Sequence, residues 1–145
     1  MPESGHETWT LRCDGGSRGN PGPGACGFVL SDEEGREREA RGDYLGTVTN
    51  NVAEYKALIA GLEAAARHGV QSLRVVMDSE LVIRQMIGEY RVKNEGLKPL
   101  HAEARRKAAA LGDVTYRSVG REDNERADQL VNEALDKVLG TESPR

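Results

Sequence analysis

Four acidic residues stand where chemistry could be done. Asp14 ends the alternating run "TWTLRCD", Glu54 follows "TNNVA", Asp78 closes the apolar run "LRVVMD", and Asp128 lies in "REDNERAD". Each has an ordinary explanation when taken singly. Asp-Gly is a common turn opening, which would account for Asp14. Glu54 falls near a helix start, where an acid complements the dipole. Asp78 is placed to cap the helix that follows, and Asp128 reads as a solvated charge. Together they share an address: the C-terminal ends of two strands and the early turns of two helices. In an open α/β sheet that crevice is where ligands bind. Four carboxylates held there repel one another unless cations sit among them, and hard divalent ions take oxygen donors. The expected cofactor is two Mg2+ ions, with Mn2+ as an alternative, placed to activate a water against a phosphodiester.

A second stretch, "CDGGSRGNPGPG" (Cys13–Gly24), competes for attention. Gly22-Pro23-Gly24-Ala25-Cys26-Gly27 matches GxGxxG. A dinucleotide-binding loop of that form must follow a strand and open a helix. Here the glycines lead into "FVL", a strand, and no Gly-Lys-Ser/Thr is present for a phosphate loop. The expectation is a long hairpin connection over Gly15–Gly24, with glycines supplying positive φ and prolines stiffening the chain.

The elements that would carry these residues follow from periodicity. "TWTLRCD" alternates as a strand, with Trp9, Leu11 and Cys13 on one face; "ACGFVLSD" is a second strand, and the charged "REREARGDYLGTVT" a third, at an exposed edge. From Asn51 to His68 the period becomes helical, with Tyr55, Leu58, Ile59, Leu62, Ala65 and Ala66 on one face, a cap at Thr49 or Asn50 and a stop at Gly69. "SLRVVMD" reads as a buried strand, "SELVIRQMIGEY" as a helix opened by Ser79, about 99–111 as a helix, "DVTYRSV" as a fifth strand, and Asn124 to about Leu139 as a last helix. That order implies an α/β domain with a mixed five-stranded sheet.

Composition narrows the class. The chain has 145 residues with 37% hydrophobic and 30% charged, enough for one domain with a sizeable core. No apolar run approaches the roughly 20 residues of a membrane span, so no membrane partner is expected. "MPESGHE" shows no signal peptide. Two cysteines, Cys13 and Cys26, read as reduced thiols of a cytoplasmic protein. A net charge of −4 argues against strong nonspecific nucleic-acid binding, while leaving room for a local basic groove. Residues 1–7 and 140–145 are expected to be disordered tails around a domain at 8–139, acting as a monomer.

The blocks "DGGSRGNPGPGACGFVL", "TNNVAEYKALIAGLEAA", "VVMDSELVIRQMIGEYRVKNEGLKPL" and "REDNERADQLVNEALD" resemble type 1 ribonucleases H of the short form that lacks a basic protrusion, from about Trp9 to Leu139. The resemblance implies a ribonuclease H-like fold with sheet order 3-2-1-4-5 and helices on both faces. It implies hydrolysis of the RNA strand of an RNA–DNA hybrid, leaving 3′-hydroxyl and 5′-phosphate ends. Asp14, Glu54, Asp78 and Asp128 match the metal-binding quartet; Asn20, Asn50 and Asn51 match positions that touch the hybrid, as does Ser79 beside Asp78. Thr49 and Asn94 match positions that hold a DNA phosphate. Amides and hydroxyls there suit reading of the 2′-OH across a wide minor groove.

The chain also departs from the pattern. Many relatives carry a histidine in the loop before the last carboxylate, but "VGREDNE" (Val119–Glu125) has none, leaving Arg121 or Glu122 as substitutes. His6, His68 and His101 read as solvated. Without a protrusion, binding falls to Arg91, Lys93, Lys98 and the asparagines, with Arg105-Arg106-Lys107 reading mainly as a solvated helix face. A noncatalytic hybrid-binding module and a resolvase-like nuclease are the rivals. A complete carboxylate quartet disfavours the first, and the "TNN" block and glycine hairpin disfavour the second.

Overall fold

A computed structural model of the protein describes residues 7–140, so most of the two expected tails, 1–6 and 141–145, lies outside the described residues. The elements run β1 (Thr8–Ser17), β2 (Gly22–Ser31), β3 (Glu37–Val48), α1 (Asn50–Arg67), β4 (Ser72–Met77), α2 (Glu80–Met86), α3 (Lys98–Leu111), β5 (Asp113–Ser118), a 3-10 turn at Arg121–Asp123, and α4 (Glu125–Leu139). They form one five-stranded sheet in the order β3-β2-β1-β4-β5. The first three strands pair antiparallel, and β1–β4 and β4–β5 pair parallel. This is the mixed sheet expected from the element order, and no helix is long and apolar enough to cross a membrane among the described residues.

Alternation along the strands divides the sheet. Leu11 and Cys13 of β1, Phe28 and Leu30 of β2, and Leu73, Val75 and Met77 of β4 share one buried face. That face meets Tyr55, Leu58, Leu62 and Ala65 of α1, with Ala104 and Ala108 of α3 behind, in one continuous core. Helix α1 buries more of its circumference than the sequence stripe suggests, since it packs both on the sheet, where Ala53 and Gly61 approach β1, and on α3: Ala53, Ala57, Gly61 and Ala64 are buried too, while Ala66 is exposed. On the opposite face α4 packs on β2, β3 and β1, with Val131 and Leu135 against Ala25. It approaches so closely that a Cβ on Gly42 of β3 would come 2.6 Å from the Leu130 carbonyl oxygen. Among the described residues α4 makes no comparable packing with β4 or β5.

Two boundaries differ from the sequence reading. The glycine stretch is mostly strand rather than connection: Gly15, Gly16 and Ser17 pair with Cys26, Ala25 and Gly24, leaving only residues 18–21 to turn the chain. A backbone ladder needs no side chains, so glycine does not break it. Gly15 instead admits a neighbour, since a Cβ there would strike the backbone of Ala53 and Glu54 in α1. Helix α2 stops at Met86, short of the expected "GEY", because Gly88 turns left-handed at φ 86°.

Candidate metal centre

Each acid is delivered by the end of an element. Asp14 stands near the C-terminal end of β1 on the face away from α1's core, and is 6% exposed. Asp78 follows the last residue of β4, and the cap of α2 is its neighbour Ser79, whose Oγ accepts from Val82 N at 3.3 Å. Asp78 is therefore not spent on capping. Glu54 is the fifth residue of α1, beyond the first turn, where a dipole role has faded. Its Oε1 accepts from Gly15 N at 3.0 Å, which draws the carboxylate in over β1. One oxygen each from Asp14, Glu54 and Asp78 lie within 4.8 Å of one another. Asp128, in the first turn of α4, acts on Asp14 by hydrogen bond and by charge, and all four acids line a cavity of about 370 Å3.

Crowding shows in the electrostatics. Burial, then the charge of Asp78 and the hydrogen bond to Asp128, push the Asp14 carboxyl up to about 8. Glu54 is also raised, chiefly by burial and by the charges of Asp14 and Asp78; the Gly15 N–H and Arg121 oppose this only in part. Nearby, burial raises the Cys13 thiol. Exposed Arg121 stands beside the acids, its Nε 3.8 Å from Asp78 Oδ2, and Arg18 lines the same cavity. Asp78 Oδ1 is buried with no hydrogen-bond partner among the described residues. An all-oxygen donor set, repelling itself and holding an orphaned buried carboxylate oxygen, fits a hard divalent cation.

The candidate substrate residues divide into two groups. Asn50 joins the acidic cavity, its Oδ1 accepting from Ser17 N at 2.9 Å and Ser17 Oγ at 3.1 Å. Asn20, next to a cis peptide bond to Pro21, accepts at Oδ1 from Asn50 N at 3.0 Å. Thr49 is the helix cap, with Val52 N donating to its Oγ1 at 3.2 Å, so neither Asn50 nor Asn51 is needed there. Of these candidates only Asn50 lines the cavity; the second group, Ser79, Glu122 and Asn94, has no tie to Asn50, and Asn94 instead holds the turn before α3 by accepting from Gly96 N and Leu97 N. The histidine reading needs one correction. His101 is not solvated: it is half-buried, with Nε2 3.1 Å from Gln85 O and its ring edge-on to Tyr55. His68 lies against Trp9, and His6 is outside the described residues.

Sequence reasoning missed Asn124 and Asn132. Asn132 sits one turn after Asp128, and its Nδ2 donates to Asp128 O at 3.1 Å and Oδ2 at 3.3 Å. The i,i+4 spacing within "DQLVN" was the available signal. Asn124 looks like a helix cap, yet its buried side chain makes no cap bond; Nδ2 donates instead to Cys13 O at 2.8 Å, pinning the start of α4 to β1 beside Asp14. Replacing Asn124 by Leu strands the Cys13 carbonyl. We expect a loss of about 1–3 kcal/mol, measured by urea unfolding.

A family model described as reverse transcriptase-like matches residues 12–134. Bifunctional protein Rv2228c of Mycobacterium tuberculosis is 40% identical over 92% of this chain, which spans only 41% of that relative's length. A ribonuclease H of Hydrogenovibrio crunogenus is 38% identical over 90% of this chain and 97% of its own. Among solved structures, LC11 RNase H1 in complex with RNA/DNA hybrid superposes with a TM-score of 0.87 at 43% identity, covering 90% of this chain and 99% of that one. A family model matched over most of the chain, likeness over nearly the full length of a relative, and superposition on a solved RNase H1 at 43% identity place the chain in the type 1 ribonuclease H family.

Proposed function

We propose that the protein is a divalent-metal-dependent endonuclease that hydrolyses the RNA strand of RNA–DNA hybrids, through the unit 8–139 acting as a cytoplasmic monomer. The observation that carries this reading is the convergence of Asp14, Glu54 and Asp78, with Asp128 alongside, in one cavity supplied by a single chain. Asp14 and Asp78 would hold the Mg2+ (or Mn2+) ions, two in number, Glu54 would bind metal near the scissile phosphate, and Asp128 would complete the second site. Metal bound there supplies an activated water and a counter-charge for the leaving oxygen, which accounts for 3′-hydroxyl and 5′-phosphate ends.

The chain's own groups do the rest. The Nδ2 atoms of Asn20 and Asn50 make no hydrogen bond among the described residues and serve as donors to ribose hydroxyls and sugar edges, with Asn51 beside them. Thr49 and the Nδ2 of Asn94 face a phosphate of the DNA strand, and Ser79 steadies the Asp78 end. Arg121, flanked by Glu122, takes the place of the loop histidine by holding positive charge at the Asp78 side of the cavity.

The test is to incubate the protein with labelled hybrid, double-stranded DNA and double-stranded RNA, in Mg2+, Mn2+ or EDTA. We expect cleavage of the RNA strand of the hybrid with metal and none in EDTA. An uncut hybrid with both metals, or preferential cutting of double-stranded DNA, refutes the reading. A second expectation concerns salt. Lys98 already pairs with Glu95 at 2.7 Å, whereas Lys93 has no ion pair among the described residues. Lys93→Ala should therefore lower the slope of log affinity against log salt by about 1, and Lys98→Ala by less. The measurement is hybrid binding in EDTA at several salt concentrations. Lys107 is held by Glu63 at 3.1 Å and should have little effect when replaced.

A further inference from the structure

The sheet face that α4 leaves uncovered contains a second cavity, of about 540 Å3, lined by Thr8, Thr10, Arg12, Ser31 and Arg74 among others. It shares no lining residue with the acidic cavity. Its walls come from register. Thr10 of β1 is flanked by Ser31 of β2 and Arg74 of β4, and Arg12 lies one alternate position further along β1. Arg74 Nη1 donates to Thr10 Oγ1 at 3.4 Å, which leans the guanidinium over the strand. Arg117 of β5 adds a third positive charge on the same face, two strands from Arg12 across Val76.

Two acids border the cavity, and neither serves these arginines. The buried carboxylate of Asp32 accepts from the backbone N–H groups of Glu34 and Arg36 and from the Arg36 and Arg38 guanidiniums. Glu33 Oε1 accepts from Thr8 N at 3.2 Å. Arg12 and Arg74 have no ion pair among the described residues, and Arg12 Nη1 is buried without a hydrogen-bond partner. Arg12 and Arg74 both line this hydroxyl-bearing space, and neither guanidinium is matched there by a carboxylate among the described residues, so the cavity presents positive charge and donors without a paired acceptor.

We propose that this cavity binds a small tetrahedral oxyanion of the phosphate class, with Arg12 and Arg74 as its charged partners and the Thr10 and Ser31 hydroxyls as further donors. Guanidinium forks match tetrahedral oxyanions through paired N–H bonds. The Asp32 and Glu33 carboxylates close one side of the cavity. That favours a free anion over a continuous nucleic-acid backbone, which would have to run past them.

The test titrates metal-free protein in EDTA with inorganic phosphate, pyrophosphate or a short single-stranded DNA oligonucleotide. Ionic strength is held constant with chloride, and binding is followed by calorimetry and by the arginine Nε–H resonances. Saturable binding of phosphate or pyrophosphate is expected, weakened roughly tenfold in Arg74→Gln and in Arg12→Gln. Arg74 is exposed and its variant retains the fold; if Arg12→Gln fails to fold, Arg12→Lys replaces it and should weaken binding while leaving it detectable. Absence of saturable binding beyond chloride overturns the proposal, as does an unchanged affinity in Arg74→Gln. Binding of the oligonucleotide alone, lost in the same variants, also overturns the free-anion assignment and transfers the site to a backbone phosphate.

Discussion

Replacing Asp14 by Asn should abolish hybrid cleavage and stabilise the metal-free protein at the same time. The first effect follows from position. Asp14 is the acid on which Asp78 and Asp128 both act, so neutralising it removes the carboxylate through which the cluster is joined. We expect activity to fall about a thousandfold or more in saturating Mg2+. The second effect follows from sign. The Asp14 carboxyl is raised from 3.8 to about 8, so the fold favours its neutral form. That preference leaves stability intact below about pH 4 and removes it progressively as pH rises through 8. An amide never ionises and escapes this penalty. In EDTA at pH 9 the variant should be more stable than the parent, by an amount on the order of a few kcal/mol. At pH 4 the two should nearly coincide. Urea unfolding at both pH values measures this; equal stability at pH 9 would show that Asp14 is not under the strain described. Added Mg2+ should narrow the gap by stabilising the parent.

Gly15→Ala carries the largest expected structural cost. A methyl at Gly15 would strike the carbonyl of Ala53 and the backbone nitrogen of Glu54, and neither is a flexible side chain that can swing away. Helix α1 must lift from β1, which opens the main core between them and loosens the Gly15 N–H that steers Glu54. We expect a loss of about 3 kcal/mol or more. The adjacent Gly16 is the control, because a Cβ there meets only Asn50 Oδ1 at 3.9 Å. Gly16→Ala should cost under about 1 kcal/mol. Denaturant midpoints for both variants decide the matter, and similar losses at the two positions would refute the close-approach explanation.

That pair also marks where the sequence could be read and where it could not. Asp78 was legible because the apolar run "LRVVM" fixes a buried strand and its end; Glu54 was legible as a residue near a helix start, although its depth within α1 was not. The sheet order rested on family likeness, since periodicity sets which face a residue occupies and not which strands are neighbours. Local glycine propensity reads Gly15 as turn, while the demand it satisfies comes from α1, whose Ala53 lies 38 residues further along the chain. Asn124 was hidden for the same reason. Its type and position fit a cap, and only the fold shows that its partner is Cys13 O, 111 residues away. Arg12 looked like an ordinary polar residue of an alternating strand, and its lack of a partner depends on how Asp32 is used by its own turn.

The pin between Asn124 and the end of β1 has a consequence for the order in which the molecule is made. Asp14, Glu54 and Asp78 are all present once residue 78 has been synthesised, but Asp128 belongs to a helix anchored by the last fifth of the chain. A growing polypeptide that has reached only α3 carries three of the four acids and lacks both the fourth and the amide that secures it. The complete cluster is assembled last, when α4 closes over β2 and β3, so on the reading above nuclease competence coincides with completion of the fold.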